Sequence, residues 1–218
     1  MAIDGPAGAG KSTVARAVAE RLGLTYVDTG AMYRALAWAA TAQNIALTDM
    51  AAVCRLAESL EIRLERGRVY ADGQEVTTQI RTSEISNLTS ALSALPCVRE
   101  RLSALQREMG HRGGVVMEGR DIGTVVLPEA QVKVFLTASG TERVRRRQAE
   151  LHAKGIVLDE KALSADMAER DARDAARETA PMVAAADAVH LETDGLDADA
   201  VTARIVALCR EVEARYGS

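Results

Sequence analysis

Eight residues near the start of the chain, Gly5-Pro6-Ala7-Gly8-Ala9-Gly10-Lys11-Ser12, have the types and spacing needed to hold a phosphate chain. They fit the pattern Gly, any four residues, Gly, Lys, Ser or Thr. Glycine lacks Cβ, so such a loop can turn several backbone N–H groups inward around an anion. Lys11 is long enough to reach β- and γ-phosphates, and the Ser12 hydroxyl suits a Mg²⁺ ion. From Thr13 onward a helix is expected whose positive end faces the same phosphates. Phosphate binding is therefore assigned to Gly5, Pro6, Ala7, Gly8, Ala9, Gly10, Lys11, Ser12 and Thr13.

A second set of candidates is cationic. Arg143, Arg145, Arg146 and Arg147 fall within a turn and a half of an expected helix, between Gly140 and Gly155. That pattern suits a lid that brings guanidiniums onto a phosphoryl group and excludes water. The plain alternative for each is a solvated charged face. Arg170, Asp174 and Arg177 follow at i, i+4 and i+7, which puts them on one helix face with Arg173 close by. A surface ion-pair network is the alternative there. Of the 27 cationic residues only Lys11, Lys133, Lys154 and Lys161 are lysines. Arginine is the better fork for phosphate and carboxylate.

The elements that must position these residues can be read from periodicity. Residues 1–3 make a short apolar strand into the loop. Val14, Val18 and Leu22 recur at helical spacing after it. A second strand is expected over 24–27 and a helix over 31–42. Met50, Val53, Cys54, Ala57 and Leu60 mark another helix. Short alternating segments at 62–65, 68–70 and 74–76 are separated by Arg66-Gly67 and Asp72-Gly73, both hairpin signals. They predict a small antiparallel sheet inserted into the domain. Helices are expected over 83–92, 96–109, 141–153 and 160–177, with strands at 115–117, 132–136 and 189–191. Val201, Ile205, Leu208, Cys209 and Val212 form a closing amphipathic helix. Strands alternating with helices predict a three-layer, doubly wound parallel sheet. Ligands then bind at the carboxyl ends of the strands, where Asp28-Thr29-Gly30 and Gly119-Arg120-Asp121 fall.

Bulk properties narrow the class. The 218 residues are enough for one α/β domain with an insertion, and 48% are hydrophobic. A net charge of −4 argues against a general nucleic-acid binder. No stretch approaches the roughly 18 apolar residues of a membrane span. The chain runs directly into the phosphate loop, so no signal peptide is expected. The first strand is short enough that a few residues are expected to be missing upstream. Cys54, Cys97 and Cys209 are few, odd in number and widely spaced. They read as reduced core thiols of a cytoplasmic protein, not as a disulfide framework or a zinc site. His111, His152 and His190 form no ligand pattern.

A phosphate loop alone does not separate an ATPase, a GTPase switch and a small-molecule kinase. The chain has no Asn-Lys-x-Asp guanine-reading motif and is short for a motor or transporter ATPase. Arginines at several separated strand ends and on two polar helices suit transfer between two anions, where positioning and charge stabilisation do most of the work. A small-molecule kinase is therefore the leading class. A slowly hydrolysing nucleotide switch is the rival.

The segments Asp28-Thr29-Gly30-Ala31-Met32-Tyr33-Arg34, Ile80-Arg81-Thr82, Glu118-Gly119-Arg120-Asp121-Ile122-Gly123-Thr124-Val125-Val126 and Arg170-Asp171-x-Arg173-Asp174, with the phosphate loop, closely resemble bacterial cytidylate kinases. The similarity runs through nearly the whole chain in order and spacing. The first and third segments discriminate far better than the phosphate loop, which many families share. The resemblance implies the P-loop NTPase fold with a core (1–46, 94–138 and 180–218), a monophosphate-binding insertion at about 47–93 and a short helical lid at about 139–179. It implies Mg²⁺-dependent transfer of the ATP γ-phosphoryl group to CMP or dCMP in the cytoplasm, by a monomer. UMP, AMP and shikimate kinases are the nearest alternatives.

By the same resemblance, Thr29, Arg34, Ser90, Arg99, Arg120, Asp121, Arg170, Asp174 and Arg177 hold the monophosphate. Arg34, Arg120 and Arg170 would grip its phosphate, and Asp174 and Arg177 would lie near the sugar, with service to the phosphates as the alternative for Arg177. Ser90, Arg99 and Asp121 would face the base. That last assignment makes chemical sense, because a carboxylate accepts from the cytosine N4 amino group. Lys11, Arg143 and Arg146 are the expected catalytic cations, and Ser12 the Mg²⁺ ligand, with further coordination through water. Glu118 stands where many relatives carry Asp; either carboxylate could orient the metal through water. The Thr193-Asp194-Gly195 loop is the expected neighbour of the donor adenine.

Overall fold

Ala2–Asp4 (β1) is buried along its whole length, as a strand flanked by neighbours on both edges must be. In the computed structural model it pairs in parallel with Val115–Gly119 (β6) on one side and Lys133–Thr137 (β7) on the other. Thr25–Asp28 (β2) and Val189–Glu192 (β8) complete a five-stranded sheet in the order β2-β6-β1-β7-β8. The described residues are 1–153, 155–156 and 158–216, without the side chain of Tyr216. Lys154 and Val157, within the expected lid, lie outside them.

The chain divides into two compact units, Met1–Tyr26 with Gly114–Ser218, and Val27–Gly113. In the first, helix Lys11–Leu22 (α1) packs Val14, Ala15, Val18 and Ala19 into a core with Ile3, Val116, Val134 and Leu136 of the strands. Helix Ala198–Tyr216 (α8) closes the same core through Val201, Ile205, Val206 and Cys209. The polar helices Gly140–Ala153 (α6) and Glu160–Ala175 (α7) share a small core of Val144, Leu151, Leu163 and Met167. The helix expected over 160–177 thus ends at Ala175, and Arg177 lies past its C-cap.

The second unit is built around helix Thr29–Ala42 (α2). Its Ala31, Met32, Tyr33, Ala35, Leu36, Ala37, Ala39 and Ala40 are all buried. A helix apolar on so many sides belongs at the centre of a core. Helices Met50–Ser59 (α3), Ser83–Leu92 (α4) and Pro96–His111 (α5) contribute Val53, Leu56, Leu92, Val98 and Leu102. The inserted sheet is present as Ile62–Glu65 (β3), Arg68–Ala71 (β4) and Gln74–Glu75 (β5), all antiparallel. Both hairpin turns have two positive φ values: 48° and 80° at Arg66-Gly67, and 47° and 79° at Asp72-Gly73. This is the turn geometry that matches strand twist.

The cysteine expectation is corrected here. Cys54 of α3 and Cys97 of α5 form a disulfide, with Cα atoms 5.7 Å apart. The two helices pack side by side, which brings residues 43 positions apart within bridging distance. Cys209 is free and buried.

Candidate active site

The phosphate loop leaves β1 at Gly5 and enters α1 at Lys11. A Cβ at Gly5 would lie 2.0 Å from the carbonyl oxygen of Leu136, so no other residue fits between the two strands there. Gly10, the N-cap of α1, has φ 89°, which turns the chain into the helix without a side-chain cap. Lys11 is buried, and its Nζ donates to the Pro6 carbonyl at 2.7 Å. Burial, and next the positive charge of Arg120, push its pKa down from 10.5 to about 7. Arg170 acts in the same direction, and Glu118 and Asp4 oppose it. Burial is the largest of these effects, and an incoming anion would favour the charged form of Lys11.

Two carboxylates shape the loop from below. Asp4 accepts from the backbone N–H groups of Ile122 at 2.9 Å and Gly123 at 2.7 Å. Those residues open a π-helical turn, Ile122–Val126, directly after Arg120 and Asp121. Asp4 therefore fixes the segment that carries both side chains. Burial raises its pKa to about 6 against the lowering effect of the two N–H groups. Glu118, at the end of β6, is also buried and accepts from two hydroxyls. Ser12 Oγ donates to one oxygen at 3.0 Å and Tyr26 Oη to the other at 2.5 Å.

No cluster of three or more His, Cys, Asp or Glu side chains suited to a metal is found among the described residues. The oxygen donors Ser12 and Glu118 beside a phosphate loop nevertheless fit Mg²⁺. That ion takes few protein ligands and completes its octahedron with phosphates and water.

Of the four clustered arginines of α6, two touch the phosphate loop. Arg143 donates to the carbonyls of Ala7 at 3.1 Å and Ala138 at 3.2 Å, and pairs with Asp171 of α7. Asp171 also accepts from the Ala7 N–H at 3.3 Å. Arg146 donates to the Ala9 carbonyl at 3.4 Å and to Thr193 Oγ1 and carbonyl at 2.9 and 2.7 Å. Arg145 and Arg147 point elsewhere, into local pairs with Glu142 and Glu150. Arg143 and Arg146, three residues apart, share a helix face. Asp174 is buried and holds two cations, Arg120 through Nε at 3.0 Å and Arg177 across the helix end. A cavity of about 150 Å³ lies beside Gly10, Thr13, Arg146, Thr193, Asp197 and Val201.

In the second unit, Asp28 caps α2 by accepting from Ala31 N–H and also accepts from Arg34 at 2.9 Å on its other oxygen. Thr29 is buried in the first turn of α2. Arg99 is buried in the first turn of α5, donates to the Ser93 carbonyl at 3.2 Å, and lies 5.8 Å from the Tyr33 ring centre. Arg34 Nε and Ser90 Oγ are buried with no hydrogen-bond partner. Unpaired buried polar atoms are uncommon in proteins and mark a strained or functional position.

Asp4, Tyr26 and Asp171 belong to this constellation and were not singled out by sequence reasoning for a role. For Asp4 a signal existed: a carboxylate ending a buried strand needs partners. For Tyr26, 92 positions from Glu118, no local signal exists.

The sequence model of the family described as "Cytidylate kinase" matches residues 1–211. A cytidylate kinase of Desulfitobacterium hafniense (strain Y51) is 50% identical over 99% of this chain and 95% of that protein. A cytidylate kinase of Pelotomaculum thermopropionicum is 48% identical over 95% of this chain and 94% of that one. A bifunctional pantoate ligase/cytidylate kinase of Synechococcus sp. (strain CC9902) is 48% identical over 97% of this chain and 45% of its own length. Among solved structures, an uncharacterized protein from Eubacterium ventriosum shares the fold, with a TM-score of 0.52 at 13% identity over 96% of this chain and 97% of that one.

Proposed function

The chain belongs to the cytidylate kinase family, and from that premise we propose that it transfers the γ-phosphoryl group of ATP to CMP or dCMP with Mg²⁺. The observation that carries the mechanism is the buried loop lysine: Lys11 lies within the phosphate loop with its Nζ on the Pro6 carbonyl, and burial first and Arg120 next depress its pKa. A bound anion would favour its charged form. Lys11 would draw electron density from the transferring phosphoryl group, and Arg143 and Arg146, already against the loop, would share that charge. The acceptor phosphate is itself an anion, so the loose transition state calls for no strong general base. Ser12 would hold Mg²⁺, with Glu118 acting on it through Ser12 or water; the ion neutralises phosphate charge when bound.

The acceptor assignment follows the family resemblance. Arg34, Arg120 and Arg170 are assigned to the CMP phosphate, Asp174 to the neighbourhood of the sugar, Arg177 to the sugar or the phosphates, and Thr29 to the monophosphate without a narrower role. Ser90, Arg99 and Asp121 are assigned to cytosine. The unpaired Ser90 Oγ and Arg34 Nε support this reading, since each has a hydrogen bond left to make. The cavity lined by Thr13, Arg146, Thr193 and Val201 supports a donor-nucleotide site beside the loop. The resemblance also divides the labour: core 1–46, 94–138 and 180–218, monophosphate insertion at about 47–93, lid at about 139–179. No helix among the described residues is long and apolar enough to cross a membrane. A monomer working in the ATP-containing cytoplasm is the reading that fits the reaction.

The test is ADP release from ATP and Mg²⁺ with CMP, dCMP, UMP, AMP and shikimate in turn. Rapid turnover confined mainly to CMP and dCMP is expected. Equal turnover with UMP would remove Ser90, Arg99 and Asp121 from the base site. Slow ATP loss indifferent to every acceptor would overturn the kinase reading.

A further inference from the structure

Glu118 is a buried carboxylate whose two oxygens have different hydroxyl donors. Ser12 Oγ donates to Oε2 at 3.0 Å, and Tyr26 Oη donates to Oε1 at 2.5 Å. Tyr26 is in turn held by α1, because the Arg16 guanidinium lies 5.3 Å from its ring centre. Arg16 and Ser12 are four residues apart on that helix. The chain of contacts runs from α1 through Arg16 to Tyr26 on β2, to Glu118 on β6, and back to α1 at Ser12.

We infer that Tyr26 is a positioning residue for the metal-binding hydroxyl, acting through Glu118. This rests on the reading of Ser12 as the Mg²⁺ ligand. A serine hydroxyl has one proton and two lone pairs. While its proton is committed to Glu118 Oε2, its lone pairs face away from the carboxylate and are free for a cation. That commitment holds only if the carboxylate keeps one orientation. The last torsion of a Glu carboxylate is broad, and a donor on each oxygen restrains it. The Tyr26 bond to the oxygen opposite Ser12 supplies one of those restraints. The longer Glu side chain at this position makes the anchor more consequential, because Glu has one more torsion to fix than Asp would.

Tyr26→Phe removes the phenolic hydroxyl and keeps the ring and its contact with Arg16. ADP affinity is measured by titration calorimetry for the wild type, Tyr26→Phe, Glu118→Gln and the double variant, each with Mg²⁺ and each with EDTA. The wild type is expected to bind ADP more tightly with Mg²⁺. In Tyr26→Phe that gain shrinks roughly three- to tenfold, about the worth of one hydrogen bond, while affinity in EDTA stays as in the wild type. Because Tyr26 acts through Glu118, the double variant loses no more of the gain than Glu118→Gln alone. An undiminished Mg²⁺ gain in Tyr26→Phe overturns the inference, as do additive losses in the double variant. Equal losses with and without metal also overturn it, by showing a merely structural role. A wild type that gains nothing from Mg²⁺ overturns the reading of Ser12 and the inference together, and is told apart by that control. A thermal melt of Tyr26→Phe checks folding; if it does not fold, Arg16→Met, which removes the charge over the ring and leaves the phenol, is titrated instead, with a smaller loss of the same sign expected and no loss decisive against.

Discussion

The two units hold their candidate-site arginines differently. In Met1–Tyr26 with Gly114–Ser218, two of them have polar partners distant in sequence: Arg120 reaches Asp174 across 54 positions, and Arg143 reaches Ala7 across 136. In Val27–Gly113 Arg34 and Arg99 have polar partners close in sequence, Asp28 and Ser93, each six positions away. The first set exists only when the whole unit has folded. The second is largely set by the starts of two helices. The first unit buries a lysine whose pKa is depressed by burial and then by Arg120, and the second buries Arg34 Nε and Ser90 Oγ without hydrogen-bond partners. The first arrangement suits a site that stabilises charge, and the second a site that reads hydrogen bonds.

If the first unit is built for charge, removing its central cation should cost most. Lys11→Ala is expected to lower kcat about a thousandfold, close to 4 kcal/mol of transition-state stabilisation. Its fold should persist, because the loop is held by glycine geometry and by Arg143, Arg146 and Asp171. Steady-state kinetics beside a circular-dichroism melt checks both. Near-normal turnover in a folded variant would erase the contrast between the units.

The second unit owes part of its stability to a covalent link that the first lacks among the described residues. The Cys54–Cys97 bridge closes a loop of 43 positions. Its loss is expected to lower unfolding stability by roughly 2–4 kcal/mol. Urea unfolding of the oxidised protein, with and without reductant, reads this, and the Cys54→Ser, Cys97→Ser double variant should match the reduced protein. Unchanged midpoints would sharpen the comparison differently, leaving the apolar packing around α2 as the whole support. In a compartment rich in small thiols the bridge would be under reducing pressure, so the reduced value is the relevant one there.

Much of this was legible in the chain itself, for physical reasons that differ by feature. The helix expected over 83–92 coincides with Ser83–Leu92, because Thr82 caps it by accepting from Ile85 N–H. Arg66-Gly67 and Asp72-Gly73 marked their hairpins because left-handed φ pairs demand such residues. Four arginines on one helix could not be sorted by type, because only the packing of the helix against the loop separates Arg143 and Arg146 from Arg145 and Arg147. Long-range pairings were closed to inspection. Nothing near Cys54 points to Cys97, and nothing near Glu118 points to Tyr26, since only the packing of α3 on α5 and of β2 on the sheet brings them together. Arg177 was read as part of a helix that ends at Ala175, yet it still reaches Asp174 from beyond the cap.

The smallest expected effect is also the most direct measure of how burial and neighbouring charge hold Lys11. Burial and Arg120 hold Lys11 at about 7. Above that pH the nucleotide-free protein therefore carries Lys11 largely neutral. A bound phosphate chain favours the ammonium form and raises its pKa toward the ordinary 10.5. The sign follows: binding ADP at pH 8 takes up a proton, approaching one per site, and binding at pH 6 takes up almost none from this lysine. Affinity should correspondingly fall as pH rises through 7. Asp4, at about 6, is ionised at pH 8 and does not confuse the reading there. Calorimetric titration in two buffers of different ionisation enthalpy gives the proton count, and Lys11→Met should abolish it. Equal counts in wild type and Lys11→Met would mean that Lys11 is already fully charged. The first unit would then hold Lys11 charged without a bound anion, and the difference between the two halves would reduce to hydrogen bonding alone.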